Sequence, residues 1–510
     1  MKKMTVVVMF ITILSKVLGF IRDITLSSNF GFGAVSDSFT LAITIPNSVL
    51  SIIGAVLVTG IIPMLTRILN EDEDRANRFT SNILNIMLLF CMVMMVLMFV
   101  LPEFVIFLFA SNLSHEAMLY AVPFLRVIAF GIFSIAIVQL GSGYLNVKKN
   151  FIIPALVSIP SNVIVIVAII IANKSGNTLL LAYGQLAALI FQAAVIFIYM
   201  KKMGFDYRAV IDLNDKDLRL MVTLALPLLL SAVLGQLNDI IMKNFATVLV
   251  PVGGYSYMSY ATKLIGFVSG IFITAILNVS YPTIAQNVVN NDNKRLNKSI
   301  NDAILMIFVF VTPAVVGFIT LARPIIEFVF LSGEVTASDV NIIVPIFVAD
   351  ALVLLAMGMR ELLFRIHYAY HDMKSPVRNT VFVTIVFIIG LIIFPFLFGK
   401  LGHPLAGLSF SYSVAALIAV VPLFKSAKKL IGKTYFKYIV KDMTKILLSA
   451  LVMGVFLLLV KGPLLSVMPG RIGTLVAIVG AGIVYIVALI ALRTRFALSL
   501  LSSVLFKETN

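Results

Sequence analysis

The stretch SKVLGFIRDITLSSNFGFGAVSDSFTLAITIPNSVLSIIGAVLVTGIIP, residues 15–63, decides the reading of the fold. Its apolar segments are long enough to cross a bilayer, which takes about 20 predominantly apolar residues. Lys16, Arg22, Asp23 and Asp37 nevertheless lie inside these segments or at their edges. An ionisable side chain is costly at membrane depth and is retained where it faces a bundle interior or an aqueous cavity. The stretch therefore predicts two spanning helices with a polar line between them.

The rest of the chain has the same character. Of 510 residues, 61% are hydrophobic and 12% charged, and mean hydropathy is +1.08. A soluble protein of this size could not bury that much apolar surface, and apolar runs of spanning length recur from end to end. The expected fold class is an all-α polytopic membrane protein with about 14 transmembrane helices, near 4–28, 35–68, 80–101, 117–146, 151–172, 178–201, 217–249, 255–287, 299–330, 341–369, 377–398, 404–424, 442–460 and 472–492. The N-terminal MKKMTVVVMFITIL imitates a signal peptide, but it lacks a small-residue cleavage site and runs on into Lys16–Asp23, which predicts a retained first span. A single Cys91 allows neither an internal disulfide nor a cysteine metal cluster.

The net charge of +16 is distributed as membrane topology requires. Basic residues cluster in short loops, which argues against nucleic acid as a partner. Clusters such as Lys2 and Lys3, Arg67, Arg75 and Arg78, Lys148 and Lys149, Lys201 and Lys202, Lys425, Lys428, Lys429 and Lys433, and Arg493, Arg495 and Lys507 fall on one side of the predicted layout. The opposite side holds only Lys174, Arg323, Lys400, Lys461 and Arg471. The positive-inside rule then places both termini in the cytoplasm and the chain in the cytoplasmic membrane.

An internal repeat organises the spans. LGFIRDI at Leu18–Ile24 returns as LGQLNDI at Leu234–Ile240, and Pro63 is matched by Pro282 at almost the same offset. Six spans separate the copies, so both halves enter the membrane from the same side. The expected organisation is two parallel-related six-helix lobes, 1–202 (spans 1–6) and 203–429 (spans 7–12), followed by two appended spans in 430–510. Pro46, Pro227 and Pro313, inside spans 2, 7 and 9, each remove a backbone hydrogen bond and mark candidate bends.

Helical spacing gathers the polar residues onto faces. Lys16, Gly19 and Asp23 share one on span 1; Asp37, Thr40, Thr44, Asn47, Ser48 and Ser51 form a stripe on span 2; and Ser256, Ser259 and Lys263 begin another on span 8. Within a bilayer such faces point into a common interior. Asp239 with Lys243, and Arg22 with Asp23, also read as ion pairs that hold the bundle. Lys16 and Lys263 have no acid three or four residues on, so the cavity carries surplus positive charge and suits an anion such as phosphate. The candidate substrate-binding set is Lys16, Arg22, Asp23, Asp37, Ser256 and Lys263; Asp239, Lys243, Arg360 and Glu361 are candidates for coupling or gating. His367 and His371 read as interfacial packing, not as metal ligands. No zinc-protease, Walker A or dinucleotide-binding pattern occurs, so neither an enzyme nor a resident cofactor is expected; a coupled Na⁺ or H⁺ at Asp239 or another carboxylate stays open.

At these residues the chain resembles the MurJ (MviN) family of lipid II flippases, within the multidrug/oligosaccharidyl-lipid/polysaccharide exporter superfamily. The resemblance is carried by SKVLGFIRD (Ser15–Asp23), the SDSF…IPN stretch (Ser36–Asn47), SYATKL (Ser259–Leu264) and HYAYHDMKSPV (His367–Val377). It implies a monomeric carrier, working beside cell-wall synthesis proteins, that moves an undecaprenyl-pyrophosphate-linked glycan between leaflets by alternating access. Spans 1, 2, 7 and 8 would line a cationic cavity for the head group, and spans 13 and 14 a groove for the lipid tail. The family commonly has arginine where Lys16 and Lys263 stand, and another after the span 2 Pro-Asn pair, where this chain has Ser48, Val49, Leu50 and Ser51. The alternatives are a flippase for another lipid-linked oligosaccharide and a cation-coupled small-molecule exporter of the same superfamily.

Overall fold

The computed structural model describes residues 2–432, 437–468 and 470–495, with residues 2–6, 55–60, 224–225, 227–228 and 437–438 described by their backbone only. Lys433 and Lys507 lie outside the described residues, and so does the side chain of Pro227. Among the described residues there are nineteen helices and no strands. This is the expected outcome where the surroundings offer the backbone no hydrogen-bond partners.

The first repeat comprises α1 (Lys2–Phe30), α2 (Ala34–Glu71), α3 (Glu73–Val100), α4 (Pro102–Phe109), α5 (His115–Ala129), α6 (Gly131–Val147), α7 (Ile152–Leu156), α8 (Ser158–Ser175) and α9 (Leu179–Lys202). The second runs through α10 (Lys216–Leu249), α11 (Gly254–Val289), α12 (Asn293–Thr320), α13 (Ala322–Phe330), α14 (Ala337–Ala351), α15 (Val353–Ala369), α16 (Lys374–Gly399) and α17 (Pro404–Ile431). The appended pair is α18 (Lys437–Val467) and α19 (Arg471–Ala491). In each half three long helices are followed by one short helix, α4 or α13, and then by a span interrupted at Phe130 or Leu352. Pro123 and Pro345 precede these interruptions by about two turns, and the α5–α6 pair bends by 48°. Helices α2 and α12, by contrast, run as single helices through Pro46 and Pro313.

Eleven helices among the described residues are long and apolar enough to cross a membrane, and twelve segments are if α5 and α6 form one bent span. The expected fourteen would add α1 and α10, helices of 29 and 34 residues that occupy the places of spans 1 and 7 but do not meet the same test over their described residues.

By its contacts the chain divides into two compact units: residues up to Ser259 with Ser332–Thr336, and Tyr260–Leu331 with Ala337 onward. In the first unit, Phe39 meets the edge of Phe124 in a core that also buries Leu41, Ile45, Ile132 and Tyr144 completely. The segment joining α9 to α10 lies along one face of α3. Asn77 donates to the carbonyl of Gly204 (3.2 Å), Asn85 to those of Arg208 and Val210 (3.0 and 2.8 Å), and Asn82 exchanges two bonds with the backbone of Asp212 (2.8 and 2.7 Å). Ser81 accepts from the Arg208 amide. At the start of α10, capped by Asp215, the Asp217 carboxylate is held between Arg67 and Arg75.

In the second unit α18 lies against α12. A Cβ on Gly454 would come within 2.8 Å of the Val316 side chain, so glycine permits the approach. The Tyr485 hydroxyl of α19 donates to the Val309 carbonyl (2.8 Å), giving a buried O–H its partner.

Candidate functional site

Within the first unit α1, α8 and α9 enclose a polar cavity of about 310 Å³ lined by Lys16, Arg22, Ser161, Asn162, Gln185 and Gln192 among others. Its construction follows from spacing. Ser158, Ser161 and Asn162 lie three and four positions apart on α8, and Gln185 and Gln192 lie two turns apart on α9, so each helix turns one polar face inward. The Arg22 guanidinium is held by three bonds: Nε and Nη2 donate to Asp23 Oδ1 (3.2 and 2.9 Å) and Nη1 to Asn162 Oδ1 (3.3 Å). Asn162 is held in turn by the Ser158 carbonyl (2.8 Å). Asp23 is 8% exposed, and a buried carboxylate is tolerable only with such a partner. Lys16 is exposed, and among the described residues no carboxylate lies within ion-pair distance of it. Lys16 and Arg22 are thus brought together in one cavity, with Asp23 clamping the latter.

The other candidates of the first unit sit elsewhere. Asp37 is fully buried and its two oxygens accept from the backbone amides of Gly253 (2.7 Å) and Ser256 (2.8 Å), at the start of α11. Those amides have no partner within the helix, and a negative charge suits the positive end of its dipole. Ser256 is likewise fully buried. Of the span 2 stripe, Ser48 accepts from Gln236 of α10 (2.8 Å) and Ser51 donates to it (3.0 Å). Asp239 and Lys243 form the expected ion pair at 2.7 Å, with the ammonium 5.7 Å from the Tyr255 ring.

In the second unit Lys263 lies over the Tyr260 ring at 4.8 Å. Arg360 is buried and donates to Asn379 Oδ1 (3.1 Å), whose amide donates to the Ala419 carbonyl (2.7 Å), while Glu361 is exposed. His367 is completely buried, and its Nδ1 lies 3.0 Å from Asp372. That carboxylate, in the turn before α16, also accepts from the amides of Lys374 and Ser375. Burial raises its pKa, but bonds from Ser375 and His367 outweigh burial and leave it below the ordinary carboxylate value. His371 takes a left-handed φ of 56° in the same turn.

The second unit also holds an apolar cavity of about 850 Å³, lined by α12, α18 and α19 through Phe310, Gly317, Met453, Leu457, Ala481 and Tyr485 among others. The sequence reading passed over the polar faces of α8 and α9, although Asn162, Gln185 and Gln192 stand out in otherwise apolar spans. It also passed over the asparagine-rich start of α3.

A bundle of long apolar helices with a charge cluster in a polar cavity and a separate apolar cavity defines a multi-pass membrane carrier for an amphiphile. The family model described as "Lipid II flippase MurJ" matches residues 26–478, and the chain belongs to that family. The lipid II flippase MurJ of Thermosipho africanus is 26% identical over 446 residues, covering 87% of each chain. A solved structure of lipid II flippase MurJ in an inward closed conformation matches with a TM-score of 0.80 and 25% identity, covering 96% of this chain and 99% of that one. A multidrug resistance MATE family transporter of the MOP superfamily, in an inward-facing conformation, matches in fold with a TM-score of 0.69 at 16% identity, covering 84% of this chain and 98% of its own.

Proposed function

We infer that the chain is a lipid II flippase: it carries the undecaprenyl-pyrophosphate-linked peptidoglycan precursor from the inner to the outer leaflet of the cytoplasmic membrane, by alternating access and without chemical change. The observation that carries this reading is the division of one membrane-embedded chain into a cationic polar cavity and a long apolar one. A polyprenyl tail gains little by leaving lipid for an apolar groove, because lipid tails are as apolar as the groove's own side chains. The apolar cavity therefore supplies a path for the tail, and the polar residues supply affinity for the head. Lys16 is the cation best placed to meet a phosphate, with Arg22 and Asp23 as its supporting set; Asp37 and Ser256 act by fixing the start of α11, and Lys263 is a substrate-binding candidate of the second unit.

In this reading the lobes are 1–202 and 203–429, residues 430–510 form the tail groove, both termini are cytoplasmic, and the carrier is a monomer working beside cell-wall synthesis proteins. The cycle draws on the membrane potential, worth about 2.3 kcal/mol per charge per 100 mV, or on a coupled Na⁺ or H⁺ at Asp239; Lys243, Arg360 and Glu361 gate it. A second cargo, another lipid-linked oligosaccharide, is favoured by one feature: no cation follows Pro46 and Asn47, and Ser48 and Ser51 are occupied by Gln236. Complementation separates the two. A bacterial host depleted of its own lipid II flippase should regain growth and outer-leaflet lipid II when it expresses this chain; failure by well-inserted protein would assign a different glycan.

A further inference from the structure

The polar cavity holds more than an anion needs. The Arg22 charge is already paired with Asp23 and its side chain is anchored to Asn162, whereas Lys16 pairs with no carboxylate among the described residues, so Lys16 is the cation with charge to offer a ligand there. The other groups in the wall are uncharged. Gln192 Nε2 donates to Ser161 Oγ at 2.5 Å, which fixes that side of the cavity. Gln185 is 6% exposed, lines the same cavity, and its Oε1 has no hydrogen-bond partner among the described residues. A buried acceptor left unmet is destabilising, so its retention calls for a reason. That oxygen is itself shielded, and a turn about the broad terminal torsion of the amide brings it to the cavity; what then completes it is a donor, an O–H or N–H, which a simple anion does not offer. The cavity's 310 Å³ is on the order of ten water volumes, room for one sugar-sized group.

We propose that this pocket between α1, α8 and α9 is a glycan subsite: Gln185 accepts a hydrogen bond from a hydroxyl or acylamino group of the sugar next to the phosphate, while Lys16 faces the phosphate itself. Gln185 is thereby a specificity residue that separates glycan-bearing from bare polyprenyl pyrophosphates. The proposal rests on the reading of the chain as a lipid-linked glycan carrier and adds the part of the cargo that is read.

The test measures binding by the detergent-solubilised full chain to lipid II, to an undecaprenyl-pyrophosphate disaccharide without peptide, and to undecaprenyl pyrophosphate. Gln185→Leu should weaken lipid II on the order of tenfold, leave undecaprenyl pyrophosphate unchanged, and leave the melting temperature of the unliganded protein unchanged or raised, because it removes an unmet polar atom. Gln185→Asn, which keeps the amide on a shorter arm, should show the same selectivity with a smaller loss. Equal losses for glycan-bearing and bare lipids, or no loss at all, overturn the subsite. If the wild type binds the peptide-free disaccharide lipid and not lipid II, the cargo assignment fails on its own. Gln185→Leu then decides the subsite on that lipid: weaker binding upholds it, and unchanged binding overturns it.

Discussion

The two cavities occupy different parts of a duplicated plan and are built from opposite materials. That of the first unit is small and polar, with Lys16, Arg22, Asn162 and two glutamines in its wall; that of the second is nearly three times larger and apolar, with α18 and α19 supplying much of the lining. Each unit also contains an arginine bonded to an asparagine. Arg22 and Asn162 stand in the wall of a cavity, whereas Arg360 and Asn379 are closed off, with the asparagine amide tied to a backbone carbonyl. Duplication supplies the scaffold, and the surroundings of a charge decide whether it can meet a ligand or only hold helices together.

The largest effect that could break this contrast lies in the polar cavity. Lys16→Ala should abolish lipid II translocation in vesicles while leaving expression and melting temperature intact, because Lys16 is exposed and pairs with no acid among the described residues. Arg22→Ala should abolish it too, but with a lower melting temperature, because it removes the ion-pair partner of a buried carboxylate. Persistent transport in Lys16→Ala would move the working cation out of this cavity. Next is the apolar cavity. Nothing stands within 4 Å of a Cβ placed on Gly482, so Gly482→Phe fits and fills the space; translocation of the long-tailed cargo should fall about tenfold, roughly 1.4 kcal/mol in barrier, with less effect on a short isoprenoid analogue. An unchanged rate would reduce the cavity to a packing void.

The arginine–asparagine pairs sharpen the comparison through stability. Asn379→Ala should lower the melting temperature more than Asn162→Ala, because Arg360 is 9% exposed and would keep a buried donor unmet, while a cavity wall can hydrate. Equal losses would erase the distinction between a closed pair and an accessible one. The smallest effect concerns pH. The Asp372 carboxyl sits below its ordinary value, so its stabilising contribution is present above the normal carboxylate range and is lost as pH falls through the lowered value. Asp372→Asn should flatten the acid limb of a melting-temperature profile without touching its neutral plateau.

Much of this architecture is legible in the chain. The spans announce themselves by apolar length, the repeat by LGFIRDI and LGQLNDI, and the ion pairs Arg22–Asp23 and Asp239–Lys243 by spacing alone. Periodicity says which residues share a face but not what that face meets. Asp37 therefore reads as part of a substrate stripe, and only the fold reveals the amides of Gly253 and Ser256 across from it. Asn162, Gln185 and Gln192 carried the right signal, polar residues at helical spacing in apolar spans; without a charge among them they gave no reason to prefer spans 5 and 6 over any other helix lined with small polar groups.

The segment along α3 bears on how such a gene can change. The joint of a duplicated sequence is ordinarily where length drifts freely, since a surface connection costs little to extend. Here Asn77, Ser81, Asn82 and Asn85 take backbone groups of Gly204, Arg208, Val210 and Asp212 in register. One residue inserted after Tyr207 would put the later bonds out of step and shift Asp217 from its two arginines. For tags, cleavage sites or chimeras between relatives, the obvious seam of this protein is one of its least forgiving places.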